Sequence, residues 1–346
     1  MRSASREKRS DLVLIGHVGF ATDRTVNGTF SYIGGSGFAT ASAASALLDD
    51  GLGLVTQVGD DFDMDSLRRF GLDTEGVTVL PGASATFVID QFPDGSRSFR
   101  SDLGVAAEPS FEEFPPSFFQ ARYVHLGTAP PGQQLAWLDF LRDKGCRAQV
   151  SVDMFESFVA TERDACRRVC DRADLIFLND VEYRGLHGGE PQPRTPTILK
   201  HGPGGAEFLG SGRSVLQIPA CPATEVDPIG AGEILAGVFL ALRARGLPQD
   251  RALTCAVAAA SSSVTEFGVT GAGLTRELRR IKDEVDSGAR RLTASAQESV
   301  FNGRHSSRVV PGSSRATGTP LGAAATDIIL VIRPSPASFR IASWMA

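Results

Sequence analysis

From residue 11 to about residue 288, short apolar runs of strand length alternate with longer stretches whose apolar residues recur at helical spacing. The runs "DLVLIG" (11–16), "LGLVTQV" (52–58), "RYVHLG" (122–127), "AQVSVD" (148–153), "DLIFLN" (174–179) and "PTILK" (196–200) are rich in Val, Leu and Ile. Strands apolar on both faces belong inside a parallel sheet covered by helices. Helices are expected at 36–50, closed by Gly51, at 133–144, closed by Gly145, and at 231–245 and 249–266. Glycine just past a last turn is a common stop signal. The pattern predicts an α/β fold with a mostly parallel central sheet flanked by helices.

Two segments break this rhythm. In "FATDRTVNGTFSYIGG" the pair Asn27-Gly28 separates alternating stretches, and in "ATFVIDQFPDGSRSFRSD" the pair Asp94-Gly95 does the same. Each is a hairpin signal. The two hairpins, about 18–33 and 84–102, either stand alone on the surface or pair into a small β-sheet lid over the carboxyl ends of the main strands. Beyond residue 288 the chain is rich in Ser, Gly, Ala, Thr and Arg without a sustained period. Residues 289–346 are therefore expected to form a disordered or irregular tail, with "IILVI" (328–332) its one apolar run.

Composition narrows the function. A net charge of -5 provides no basic field for nucleic acid. No apolar run reaches the roughly 18–20 residues that span a bilayer, and the charged start leads only to a short strand, so a cytoplasmic protein is expected. The five cysteines are odd in number and scattered, which argues against a disulfide framework. Cys166 and Cys170 are one helical turn apart, but no His or further Cys nearby completes a metal site.

The candidate chemistry gathers in "VDPIGAGEILAGVFLAL" (226–242). Pro228 disfavours helix at Asp227, Gly230 and Gly232 permit a tight turn, and Ile234, Leu235, Val238, Phe239 and Leu242 then keep helical spacing. The free amides around Gly230, Ala231 and Gly232 form an anion site at the positive end of the helix. Glu233 then either lies beside that anion or simply satisfies the helix end. "YIGGSGFATA" (32–41) is a second glycine turn opening a helix. "DLIFLNDVEYRGL" ends a strand in Asn179 and places Glu182 three residues on, which suits Mg²⁺ held through waters or, equally, helix capping. "LKHGPGGAEFLG" (199–210) joins two strands by a turn open enough for close approach of a ligand.

In order and spacing these motifs resemble the ribokinase-like (PfkB) family of carbohydrate and nucleoside kinases. The resemblance rests on Gly34-Gly35, "VGDD" (58–61), Asp94, Gly95 and Arg97 of a "DG-x-R" hairpin, Asn179 and Glu182, Gly202, Gly205 and Ala206, and "D-x-x-G-A-G" at 227–232. It implies a ribokinase-like fold over 11–288, ATP toward the carboxy-terminal half, and a sugar, cyclitol or nucleoside acceptor beneath the lid. It places Asp23, Gly34, Gly35 and Phe38 at the acceptor, and Asn179, Glu182, Lys200, Gly202 and Gly205 at the nucleotide. Gly230, Ala231 and Gly232 become the anion hole and Glu233 the catalytic base. Asn179 and Glu182 would organise Mg²⁺, mostly through water, while Asp227 takes a structural role or lies by a monovalent cation, K⁺. Lid sheets in this family often pair two subunits, so a homodimer through the lid is one expectation.

Two positions depart from the family pattern. Glu233 stands where the family carries Asp, and one extra methylene moves the carboxyl by about an ångström, a displacement that can cost on the order of 100-fold. Phe38 stands where many members carry Asn, which implies an acceptor with an apolar face, an inositol-like ring, or plain core packing. The competing expectation is a weak or inactive relative that binds nucleotide or sugar and acts through partners. A dinucleotide oxidoreductase fits worse, because no G-x-G-x-x-G follows the first strand.

Overall fold

The computed structural model describes residues 10–302 apart from 27, 94–96, 113, 189–194 and 212, with side chains as far as residue 288. The hairpin-tip residues Asn27, Asp94 and Gly95 and the segment 303–346 with its apolar run thus lie outside the described residues. The chain divides into two compact units, 1–292 and 293–346, and the second is described only where helical backbone continues to Asn302.

The strands are β1 (Leu12–Ile15), β2 (Gly19–Thr25), β3 (Gly28–Gly34), β4 (Leu52–Gly59), β5 (Val77–Leu80), β6 (Ala85–Gln91), β7 (Arg97–Asp102), β8 (Tyr123–Leu126), β9 (Gln149–Asp153), β10 (Leu175–Asn179), β11 (Thr197–Lys200), β12 (Ala206–Gly210) and β13 (Arg213–Ile218). The helices are α1 (Ser36–Ser45), α2 (Met64–Arg69), α3 (Pro131–Asp143), α4 (Glu156–Thr161), α5 (Arg163–Arg172), α6 (Asp180–His187), α7 (Ala231–Ala244), α8 (Gln249–Ser263) and α9 (Ala272–Asn302). Residues 289–302, expected to be irregular, are helical in backbone. Their Ala, Arg, Leu, Gln and Glu content suits continuation of α9, a propensity that the compositional reading passed over.

Nine strands form the central sheet in the order β13-β12-β11-β10-β9-β8-β1-β4-β5. All pairings from β11 to β5 are parallel, and β12 and β13 add an antiparallel edge. Alternation within β1 shows both faces buried: Leu12 and Leu14 join a core with α1, α7, α8 and α9, while Val13 and Ile15 join one with α3, α4, α5 and α6. Cys166 and Cys170 belong to the second core, and burial raises both thiols, so they are packing residues as the composition implied. Among the described residues no helix is long and apolar enough to cross a membrane.

The crossing of α1 and α7 sets where the start of α7 lies. A Cβ at Gly237 would stand 2.3 Å from the carbonyl oxygen of Thr40, a backbone atom that cannot turn aside. Gly237→Ala is therefore expected to force the helices apart and lower stability by about 1–3 kcal/mol, measured by denaturant unfolding. An unchanged unfolding midpoint would show that the crossing relaxes freely.

The two hairpins do pair, into a separate four-stranded sheet in the order β3-β2-β6-β7. β2 and β6 run parallel at its centre, and the hairpin pairs are antiparallel. Period-two alternation gives the sheet two unlike faces. One carries Ala21, Asp23, Phe30, Tyr32, Phe87, Ile89, Arg97 and Phe99; the other carries Thr22, Arg24, Asp90 and Arg100. The first face meets the body. Phe30 stacks on Phe267 with centroids 4.3 Å apart, Phe99 meets Phe155 edge-on at 5.0 Å, and Arg97 pairs with Glu225 at 3.8 Å.

Candidate active site

Three neighbouring parallel strands end side by side at the carboxyl edge of the central sheet. β9 stops at Asp153, β10 at Asn179 and β11 at Lys200, with Asp153 opposite Phe177 and Asn179 opposite Lys200 in the register. Ligands of open α/β sheets bind beyond such an edge. Lys200 Nζ donates to both carboxylate oxygens of Asp153, at 2.8 and 3.1 Å, and the Asp153 side chain is 2% exposed. Backbone N–H of Met154 holds the same carboxylate at 3.0 Å.

The start of α7 faces this ion pair. Gly230 precedes the helix at φ +82, and a Cβ there would lie 2.4 Å from Val269 Cγ1, so both conformation and space require glycine. A Cβ at Gly232 would stand 3.0 Å from Lys200 Nζ, which puts the ammonium beside the first helical turn. Among the described residues the N–H groups of Gly230 and Gly232 have no backbone acceptor, while the neighbouring Ala231 N–H reaches Pro228 at 3.3 Å. Amides without a backbone acceptor, the positive end of the helix dipole and one ammonium thus lie together at the first turn of α7.

Four ionisable groups share this corner. Burial disfavours the charge of Lys200, but Asp153, Glu182 and Glu233 outweigh it and raise its pKa to about 12. Burial raises the Glu233 carboxyl, Asp153 adds to the rise and Lys200 opposes it. Glu182 is shifted upward by burial as well, against the pull of Lys200 and with a further push from Asp153. Three carboxyl groups thus lie around one ammonium, with burial disfavouring the charge of two of them; among the described residues no group of three or more His, Cys, Asp or Glu side chains is placed to hold a metal ion.

Asn179 and Glu182 form a complete capping box at the start of α6. Asn179 Oδ1 accepts from the N–H of Val181 and Glu182, each at 2.8 Å, and Glu182 accepts from Asn179 N at 2.7 Å and Nδ2 at 2.9 Å. The capping alternative is therefore realised, in a pair that also sits beside Lys200. Next to it, Gly202 opens the β11–β12 turn with empty space where a Cβ would be, and Gly205 is forced by Ile218 O, 2.0 Å from its Cβ position. His201 spans the turn's base between Asp180, 2.9 Å from Nδ1, and Glu207, 3.4 Å from Nε2.

The four-stranded sheet carries Asp23 on the face that meets the body. Asp23 is fully buried; Tyr32 Oη donates to its Oδ2 at 2.8 Å, and its Oδ1 has no partner among the described residues. Burial raises its pKa to about 6, the Tyr32 hydrogen bond opposes the rise, Asp227 adds to it and Arg97 opposes it. Asp227 spends both oxygens on backbone, taking Ile229 N–H at 3.1 Å and Gly268 N–H at 3.2 Å. Gly34 and Gly35 let the end of β3 pass the strand before it, since Cβ atoms there would lie 2.5 Å from Ala21 Cβ and 2.4 Å from His17 O.

Phe38 is a correction. It is 1% exposed, belongs to the core on the α1 side and meets Phe70 edge-on at 5.1 Å, so it packs the core and presents no face to an acceptor. Asp153 is the reverse case, a site residue that the sequence reading left as the last letter of a strand. Its signal was an acid ending an otherwise apolar run, which only the register against β11 turns into a partner for Lys200. Tyr32 opens the quoted segment 32–41 but has no role in the sequence reading, and its partner Asp23 appears only once β2 and β3 are paired.

The fold and this cluster define a small-molecule kinase of ribokinase-like architecture. The family model for pfkB family carbohydrate kinase matches residues 11–275, and the chain belongs to that family. It is 29% identical over 272 residues to a cytidine kinase of Thermococcus kodakarensis, covering 75% of this chain and 97% of that protein. It is 28% identical over 259 residues to an ATP-dependent ribose-1-phosphate kinase of Halopiger xanaduensis, covering 69% and 83%. In fold it resembles the nucleoside kinase of Burkholderia thailandensis in complex with inosine, with a TM-score of 0.66 at 18% identity over 79% of this chain and 98% of that one.

Proposed function

We propose that this protein transfers the γ-phosphoryl group of ATP to a hydroxyl of a nucleoside or a related sugar or cyclitol, with Glu233 as the base. The observation that carries this reading is the Lys200–Asp153 pair set against the glycine turn of α7, with Glu233 in that helix's first turn. The Gly230–Gly232 amides and Lys200 take the charge on the transferring group, while Glu233 accepts the proton of the attacking hydroxyl. The new O–P bond forms as the bond from Pγ to the β-phosphate oxygen breaks, and ADP leaves. Phosphoryl transfer asks mainly for positioning and charge stabilisation, which this corner supplies.

Mg²⁺ bound with the nucleotide would neutralise phosphate charge, held near Glu182 and Asn179 through waters. Gly202 leaves room for the nucleotide at the β11–β12 turn. Asp23, whose Oδ1 has no partner among the described residues, accepts from an acceptor hydroxyl. Phe99, 44% exposed on the same face, offers flat apolar surface for a base. We assign Asp227 to tying the loop at Gly268 to the start of α7; any K⁺ effect would be read through that loop. The outer face of the lid pairs Arg24 and Arg100 with Asp90 at 3.6 and 2.7 Å, a polar surface that favours a lid serving its own subunit.

The test is ATP turnover with Mg²⁺ against cytidine, other nucleosides, ribose 1-phosphate and inositol, in KCl and in NaCl, with products identified by mass. The expected result is a phosphate gained by at least one nucleoside at a rate well above ATP hydrolysis alone. Nucleotide binding without any phosphorylated acceptor would replace this reading with that of a binding protein.

A further inference from the structure

The residues that α3 turns to the core are Pro131, Gln134, Trp137, Leu138 and Leu141, at the spacing of a buried helix face. Gln134 is the polar member of this set, and it is 2% exposed. A carboxamide shut away from water is costly unless its hydrogens find acceptors. Its Nε2 donates to two main-chain oxygens, Asp153 O at 2.8 Å and Gly127 O at 3.1 Å, which takes up both hydrogens of the amide.

These two carbonyls belong to neighbouring strand ends. The β8–β9 ladder closes with Leu126 opposite Val152, so Gly127 and Asp153 are each the next residue along. Gly127 N–H returns to Ile15 O at 2.8 Å, which ties the end of β8 to β1. Asp153 is the last residue of β9 in register with β10, and beyond it the chain turns off toward α4. A nearby tie between the same strand ends, Thr128 Oγ1 to Met154 O, is long at 3.5 Å. The Gln134 amide thus pins the main chain of the residue whose side chain holds Lys200.

We infer that Gln134 is a positioning residue for phosphoryl transfer: by holding the main chain of Asp153 it fixes the carboxylate that keeps the Lys200 ammonium beside Gly232. The inference rests on the kinase reading above. Trp137, Leu138 and Leu141 pack on the face of the central sheet opposite to α7, so this helix face acts on the reaction only through the sheet. Loss of the amide leaves two buried carbonyls without that donor and frees the end of β9 to turn. A glutamine with a purely structural role would serve those carbonyls equally well whether or not Lys200 is present. A positioning glutamine loses part of its effect when the ion pair is gone.

The experiment uses the full chain and places Gln134→Met, which keeps the length of the side chain and removes both donors, in the wild type, in Lys200→Met and in Lys200→Met/Asp153→Leu. In the wild type kcat is expected to fall about tenfold, since a misplacement of about an ångström can cost on the order of 100-fold. KM for ATP and for the acceptor should change little. In Lys200→Met the same change should lower kcat no further, because Gln134 acts through Lys200. Denaturant unfolding supplies a readout that needs no turnover: Gln134→Met should lower the midpoint more in the wild type than in Lys200→Met/Asp153→Leu. Gln134→Asn, whose amide is one methylene short, replaces Gln134→Met if that variant does not fold, and should lower kcat in the same direction. A wild-type kcat in either variant, or an equal loss of kcat with and without Lys200, overturns the inference in an active enzyme. Equal midpoint shifts with and without the ion pair overturn it in any case. A smaller shift without the pair, in a protein that phosphorylates nothing, keeps the coupling of Gln134 to the ion pair and removes the kinase reading instead.

Discussion

Replacing Glu233 with glutamine is expected to lower kcat by about 1000-fold, within the range attributed to a positioned general base. The change keeps length and shape but removes the ability to take a proton. The rest of the corner survives it: Gly230 still closes the turn at φ +82, and Lys200 still pairs with Asp153. KM for ATP should therefore hold, and the loss should fall on kcat. Because burial and Asp153 push the Glu233 carboxyl upward, the wild-type rate should fall on acidification at a pH above the ordinary glutamate range. That acid limb should vanish from the residual activity of the variant. Rates measured from pH 5 to 9 decide the matter, and a glutamine variant within a few-fold of wild type would show that another group takes the proton.

The parts of this enzyme that were legible beforehand are those written in local pattern. Period and punctuation placed six of the parallel strands, the helices α1, α3, α7 and α8 and the Gly230–Gly232 turn to within about five residues, while β5 and the shorter helices left no mark strong enough to read. The hairpins were readable singly, but their pairing through β2 and β6 joins segments more than 60 residues apart and has no local mark. The same limit hid Asp153. An acid at a strand end is common, and only the ordering β9-β10-β11 brings it to Lys200, 47 positions later. The sequence leaves Phe38 open between acceptor contact and core packing, and its burial decides for the core. Its helix is buried along most of its length, so the apolar reading was open to it, but the motif around Gly34-Gly35 drew it toward the acceptor.

Lys200→Met should cost the protein both stability and turnover, by separable routes. Asp153 would remain 2% exposed with its counter-ion gone, and breaking a buried pair from one side costs about 3–5 kcal/mol. Turnover should fall by about 100-fold or more, the scale of losing one donor to a developing negative charge. The two losses part company in the double variant Lys200→Met/Asp153→Leu, which removes both charges and refills the volume with apolar atoms. Much of the stability should return there, since an apolar pair often replaces a buried ion pair at no cost, yet the rate should stay low because no ammonium faces the phosphate. Lys200 also draws the Glu233 carboxyl downward, so its removal should carry the acid limb of the rate to higher pH. Denaturant unfolding and pH–rate profiles on the same three proteins read all of this. A single Lys200→Met variant that keeps wild-type rate would remove the ammonium from the reaction and leave the pair as a structural tie between β9 and β11.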